Sequence, residues 1–412
     1  MLRKILPVFS FIIIASIGCG QPTNEKEEGD KEKVTNDSSA TSETIHTESF
    51  GQKNPRKLEF KWKTDPSKHS APFEEFLALM ERDGIPPIDE PKFWNKNNGD
   101  KVYFEHEPVI AIEIEGEAKA YPLSVLMFHE IVNDKIGGVP VTATYCPLCN
   151  AAIVFDRRLT HNGEEHLLDF GVSGMLRNSD MVMWDRQTES WWQQFTGEAL
   201  VGELTGAELT WLPSMLISYE EFFTTYPDGW ILSTETGHDM EYGMNPYVSY
   251  DSLGHEKPRL FKGEVDERLP AMERIINVNA NGTDVIYPLS TIQTEKVIND
   301  EPHGFSVVIF HQSGTVSVLD KSDIRNAKDI GSVTVFNPNV DGKKLTFFAA
   351  KSIDTENPIY FRDEETGSGW SIAGKCIDGE LKGQKLQPIV HGNHFAFAWF
   401  AFQPECEIYG QK

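Results

Sequence analysis

The chain has 412 residues, 63 of them acidic against 38 Lys and Arg, and a formal net charge of -25 at pH 7. So negative a molecule repels nucleic acid and anionic lipid, which excludes phosphate-backbone recognition and a basic membrane-binding face as ways of working. Nine Trp and 25 Phe supply enough core for one large domain or two ordinary ones.

Residues 1–18 have the pattern of a signal peptide: Arg3 and Lys4, an apolar run from Ile5 to Ile17 too short to span a bilayer comfortably, then small residues before Cys19. Ser16-Ile17-Gly18-Cys19 resembles a lipobox, so the expectation is an exported protein, periplasmic or at the cell surface, held to the membrane by a lipid on Cys19. Ser16 departs from the usual aliphatic residue, which leaves plain secretion open. Residues 19–56 are rich in Glu, Lys, Thr, Ser and Asn and poor in large apolar side chains, the composition of a disordered tether. An N-terminal extension, 57–106, follows.

The rest of the chain resembles itself. AYPLSVLMFHEIVND, from Ala120, returns as IYPLSTIQTEKVIND, from Ile286, without a gap. Asp185, Thr188, Ser190 and Trp192 recur as Asp363, Thr366, Ser368 and Trp370, and Gly197, Gly202, Gly206 and Leu209 as Gly374, Gly379, Gly383 and Leu386. We read two copies of one unit, 107–235 and 272–412, joined by a segment, 236–271, expected to pack across both. Strand-like runs such as VIAIEIEG, VPVTATY and AAIVFDRR outnumber two helix-like stretches per copy, one entered at Pro122 and one ending at Pro227. No βαβ rhythm runs through either copy. The expected fold is α+β: two tandem, pseudo-symmetric lobes, each mainly antiparallel sheet with about two helices.

Positions shared by the copies read as scaffold, so a function confined to one copy should lie where they differ. His129, Cys146 and Cys149 of the first copy stand opposite Glu295, Gln312 and Thr315 of the second, so three soft or borderline metal ligands are missing together. Cys146-Pro147-Leu148-Cys149 follows a strand, as in the knuckles of zinc ribbons, where two thiolates converge on one ion. The expected site is one copper or zinc ion on Cys146, Cys149 and His129, with Glu130, His391 or His394 as a further ligand. Two alternatives stay open: a thiol-disulfide redox protein, and a binding or scaffold module without chemistry. The redox reading lacks the helix that activates the first thiol of glutaredoxin-like motifs, since Ala151 to Phe155 read as a strand. Arg186, opposite Glu364, is a candidate anion site. His238, Met240 and Met244 are soft ligand types in a loop, and Cys376 and Cys406 are either bonded or two buried thiols. Neither a phosphate loop, a nucleophile elbow nor a His-Glu-x-x-His helix is present, and no reaction or substrate follows from the sequence.

YPLSVLMFHEIVND, TYCPLCN, SGMLRNSDMVMWDRQTESWWQQFTGEALVG and FAFAWFAFQPE together resemble the bacterial and archaeal family called domain of unknown function 3179. The resemblance runs from about 57 to 412 and implies export, often as a lipoprotein, but no mechanism. Cys406 stands where members tend to have Thr, which argues against an essential role for that thiol.

Overall fold

Short left-handed loops set much of the strand pairing. Asn178 and Ser179, with φ of 52° and 69°, close a two-residue hairpin of the kind a type I′ turn makes, so that Arg177 faces Asp180. The computed structural model describes residues 44–46, 59–252, 258–350 and 360–411. Residues 1–18, read above as a signal peptide, and Cys19 lie outside the described residues. Of the tether only Thr44–His46 is described, paired with Glu59–Lys61.

In the first half the strands are β1 (Pro108–Ile114), β2 (Glu117–Pro122), β3 (Ile131–Ile136), β4 (Val139–Cys146), β5 (Ala151–Asp156), β6 (Phe170–Arg177), β7 (Asp180–Asp185), β8 (Trp191–Gln193), β9 (Ala199–Val201), β10 (Trp211–Leu212), β11 (Met215–Ser218) and β12 (Trp230–Leu232). Helices α1 (Leu123–His129) and α2 (Tyr219–Thr225) follow β2 and β11. The strands assemble in the orders β11-β1-β2-β12, β10-β5-β4-β3 and β9-β8-β7-β6.

The second half has β13 (Arg274–Ala280), β14 (Thr283–Pro288), β15 (Val297–Asp300), β16 (Val307–Gln312), β17 (Ser332–Asn337), β18 (Phe347–Ala349), β19 (Phe361–Asp363), β20 (Gly369–Trp370), β21 (Cys376–Asp378), β22 (Gln387–Pro388), β23 (Gly392–Phe395) and β24 (Glu407–Ile408). Helices α3 (Leu289–Glu295) and α4 (Ala396–Phe402) follow β14 and β23. Their orders are β23-β13-β14-β24, β22-β17-β16-β15 and β18-β19-β20-β21. The architecture is thus strand-rich, with small helices and several sheets. Pairing is antiparallel apart from β2 with β12 and β14 with β24.

One feature departs from two separate lobes. Leu216 of β11 pairs with Val333 of β17, so β15-β16-β17 and β11-β1-β2-β12 run on as one sheet that also takes in Phe93–Trp94. An antiparallel edge left unpaired in one half is closed by the other.

Matching residues make matching bonds. Trp192 Nε1 donates to Asp185 Oδ2 at 2.8 Å and Trp370 Nε1 to Asp363 Oδ2 at 2.9 Å. The backbone N–H groups of Thr188 and Thr366 donate to Oδ1 of those aspartates, each at 2.6 Å. Tyr121 donates to Asp134 and Tyr287 to Asp300. The joining segment touches both halves: Tyr250 OH donates to Leu148 O, while Asp251 accepts from Arg274 and Ser317. Among the described residues no helix is long and apolar enough to cross a membrane, which says nothing of a β-barrel.

Candidate metal centre

Alternation along β4 sends its side chains to two buried faces and ends at Cys146, which pairs with Ala151 at the start of β5. The four residues between, Pro147 to Asn150, turn the chain. Asn150 takes φ 53° and donates its N–H to Pro147 O, a conformation an asparagine tolerates. The loop is fixed from outside as well. Phe395 N donates to Cys149 O at 2.9 Å, Asn150 Nδ2 to Asn393 Oδ1 at 3.1 Å, and Tyr250 OH to Leu148 O at 3.0 Å.

The Asn178-Ser179 turn delivers Asp180, the first residue of β7, to the same place. Ligand atoms of Cys146, Cys149 and Asp180 lie within 4.8 Å of one another, and all three residues are buried. Gln193 Nε2 and Phe195 N donate to Asp180 Oδ2 at 2.6 and 2.9 Å. The other carboxylate oxygen, Oδ1, is buried without a hydrogen-bond partner, and both thiols and the Met181 N–H lie close enough to act on the carboxyl. Glu130 caps α1 with φ 59° and is close enough for the Asp180 charge to act on it.

The electrostatics of this group are those of buried acids. Burial pushes the Asp180 carboxyl up to about 7 against the hydrogen bonds that favour its charge. Burial, then the neighbouring Asp180 charge, pushes Glu130 up to about 8. Both thiols also rise, Cys149 most, chiefly through burial. Without a cation the thiols hold their protons and Asp180 is only partly ionised near neutral pH; a divalent ion is the partner that would let the thiols and Asp180 ionise together.

The sequence profile described as "Protein of unknown function (DUF3179)" matches residues 82–406, most of the chain and all of this cluster. The chain belongs to the DUF3179 family. No curated protein and no solved structure matches it.

Within this DUF3179 chain the other sequence candidates take various places. His129 does not join the group. Its Nδ1 lies 2.7 Å from Pro86 O and its Nε2 2.6 Å from Tyr242 OH, so both ring nitrogens are engaged, and burial moves its pKa down. His238 sits beside it, ring centroids 5.4 Å apart. His391 Nδ1 pairs with Ile389 O at 2.8 Å. His394 is fully buried with neither nitrogen paired, stacked on Trp399 and held down to about 3 by burial. Arg186 is engaged by Asp89 at 2.9 Å and Asp83 at 3.6 Å, so an anion there would compete with two carboxylates. Cys376 and Cys406 are buried free thiols.

Asp180 is the residue that sequence reasoning missed. The register that sets Asp185 opposite Asp363 sets Asp180 opposite Pro358, so the criterion that singled out the cysteines applied to it as well.

Proposed function

We propose that the chain is a metal-binding protein whose ion sits on Cys146, Cys149 and Asp180, with Glu130 or water completing the shell. The observation that carries this is the approach of two thiols and a buried carboxylate oxygen of Asp180 to within 4.8 Å of one another, on a carboxylate whose Oδ1 has no hydrogen-bond partner. Sulfurs about 2.3 Å and an oxygen about 2.0 Å from a tetrahedral ion stand roughly 3.5 to 3.8 Å apart, so a small contraction suffices. A carboxylate in place of His129 favours zinc over copper(I), which prefers sulfur and nitrogen. Two thiolates and Asp180 set three negative charges against two positive, which favours water over an ionised Glu130 as the fourth ligand.

The thiol-exchange reading needs a thiol with a depressed pKa on an accessible surface. Both thiols here are buried and shifted the other way. The test is elemental analysis of protein purified without a metal-binding tag, beside Asp180→Asn and the double variant Cys146→Ser, Cys149→Ser. About one zinc per chain in the parent and little in either variant is expected. Equal metal in all three would overturn the reading.

The two halves are read as a duplicated unit, supported by their common strand order and paired Trp-Asp and Tyr-Asp bonds, with the metal site in the first copy alone. Anchoring through Cys19 belongs to the same proposal: Cys19→Ser should remove the protein from membrane fractions, and unchanged fractionation would refute it.

A further inference from the structure

A cavity of about 580 Å³ lies between the two halves of the chain, and none of the metal-site residues lines it. Glu208 and Trp211 wall it from the first half, and Asn277, Asp284, Phe305 and Asn337 from the second, among others. That volume falls within the range of sites that enclose a drug-sized ligand.

Two amides on the wall are held so that only their donors are free. Asn277, in the middle of β13, is 6 % exposed, and its Oδ1 accepts from Gly392 N at 2.8 Å. A backbone N–H can only donate, so the amide oxygen is fixed on that side and Nδ2 is turned away from it. Among the described residues Nδ2 meets no acceptor, yet it is not sealed from solvent. Asn337 repeats the arrangement: its Oδ1 accepts from Asn339 N at 3.0 Å, and its Nδ2 has no acceptor among the described residues. Buried donors call for acceptors, and a ligand carbonyl supplies one.

The charges on the wall have one sign. No Lys, Arg or His lines the cavity, so Glu208 and Asp284 face it without a cation between them. Asp284 Oδ1 accepts from Asn279 Nδ2 at 3.0 Å, and burial still pushes that carboxyl above the usual range. A ligand cation would stabilise the ionised carboxylates, and an anion would be repelled. Trp211 and Phe305 are half-buried, so part of each ring stays open, and aromatic faces attract cations and cover apolar stems. A metal ion or a simple alkylamine would satisfy the carboxylates but leave the amide donors without acceptors. A peptide with basic side chains brings carbonyls, cations and apolar stems together.

We propose that this cavity binds a short basic peptide, its backbone carbonyls accepting from the Asn277 and Asn337 amides and its cationic side chains facing Glu208 and Asp284. The full chain is titrated by calorimetry with Ac-Lys-Leu-Lys-NH2, Ac-Glu-Leu-Glu-NH2, cadaverine and calcium. Saturable binding of the basic peptide is expected, with cadaverine at least about tenfold weaker and the acidic peptide not bound. Glu208→Gln, which removes an exposed charge, should weaken the basic peptide up to about fivefold, and Asp284→Asn, partly buried, about tenfold. Glu164→Gln, which removes the same charge from a surface hairpin outside the cavity, should leave it unchanged. Asn at 284 keeps an oxygen for Asn279 Nδ2; should that variant fold poorly, Glu208→Gln carries the test alone. No binding of the basic peptide, cadaverine or calcium bound as tightly, or a folded cavity variant that changes affinity no more than Glu164→Gln does would overturn the proposal.

Discussion

Glu107→Gln isolates the free energy of holding one acid in the interior. Glu107 is 2 % exposed, and its carboxyl receives the backbone and hydroxyl of Ser124, in the first turn of α1. Its Oε1 is buried without a partner. Burial outweighs the Ser124 bonds and the nearby Arg325, lifting the pKa from 4.5 to about 7. An acid whose folded pKa is raised gives stability that is fully present below the unfolded pKa, near 4.5, and lost as pH rises through about 7. The shift of about 2.5 units, at about 1.4 kcal/mol each, amounts to about 3 kcal/mol. Glutamine keeps an acceptor for Ser124 and carries no titrating proton. Urea unfolding of metal-free protein at pH 4.5, 6, 7 and 8 should show the variant gaining on the parent by about 3 kcal/mol across that range. A gap constant to within about 0.5 kcal/mol would refute the claim that burial governs this carboxyl.

Trp192→Phe and Trp370→Phe should each cost about 2 kcal/mol in chemical denaturation, since each leaves one oxygen of Asp185 or Asp363 without its indole donor; costs differing by more than about 2 kcal/mol would argue against equivalent roles. Arg274→Met should lower stability by about 3 kcal/mol, because Asp251, buried and 2.9 Å from Arg274 Nη2, keeps only Ser252, Ser317 and Lys328; a loss under about 1 kcal/mol would show that these partners suffice. Zinc affinity, measured by chelator competition at pH 6, 7 and 8, should fall at least about 100-fold for each unit of acidification, because both thiols, and towards pH 6 Asp180 as well, must surrender protons to the solvent. A slope of tenfold or less per unit would mean that only one thiol binds.

Sequence periodicity located β1, β4 and β5 because alternation is a local property, and Pro122 and Pro227 marked one end each of α1 and α2 for the same reason. The Cys146–Cys149 turn was equally legible. Asp180 was not, since in NSDMVMW it is one more polar residue ahead of an apolar run, and only the Asn178-Ser179 turn aims it at thiols contributed by another sheet. His129 looked like a ligand because its partners, Pro86 O and Tyr242 OH, come from the extension and the joining segment, and no pattern in α1 announces them. The junction of Leu216 with Val333 was hidden for a related reason. Backbone edges carry no side-chain address, so which strand closes an edge is settled by the whole fold.

The clamp on the cysteine loop has a consequence for how the protein is made. Asn150 and its partner Asn393 are 243 residues apart, and Phe395, which holds the Cys149 carbonyl, comes later still. A chain synthesised from its N-terminus therefore presents both thiols long before the residues that enclose them exist. Through that interval Cys146 and Cys149 are open to oxidants, to each other and to any ion that reaches them, and the arrival of Asn393 and Phe395 shuts the door. An ion already on the loop at that moment would be enclosed as Asn393 and Phe395 dock.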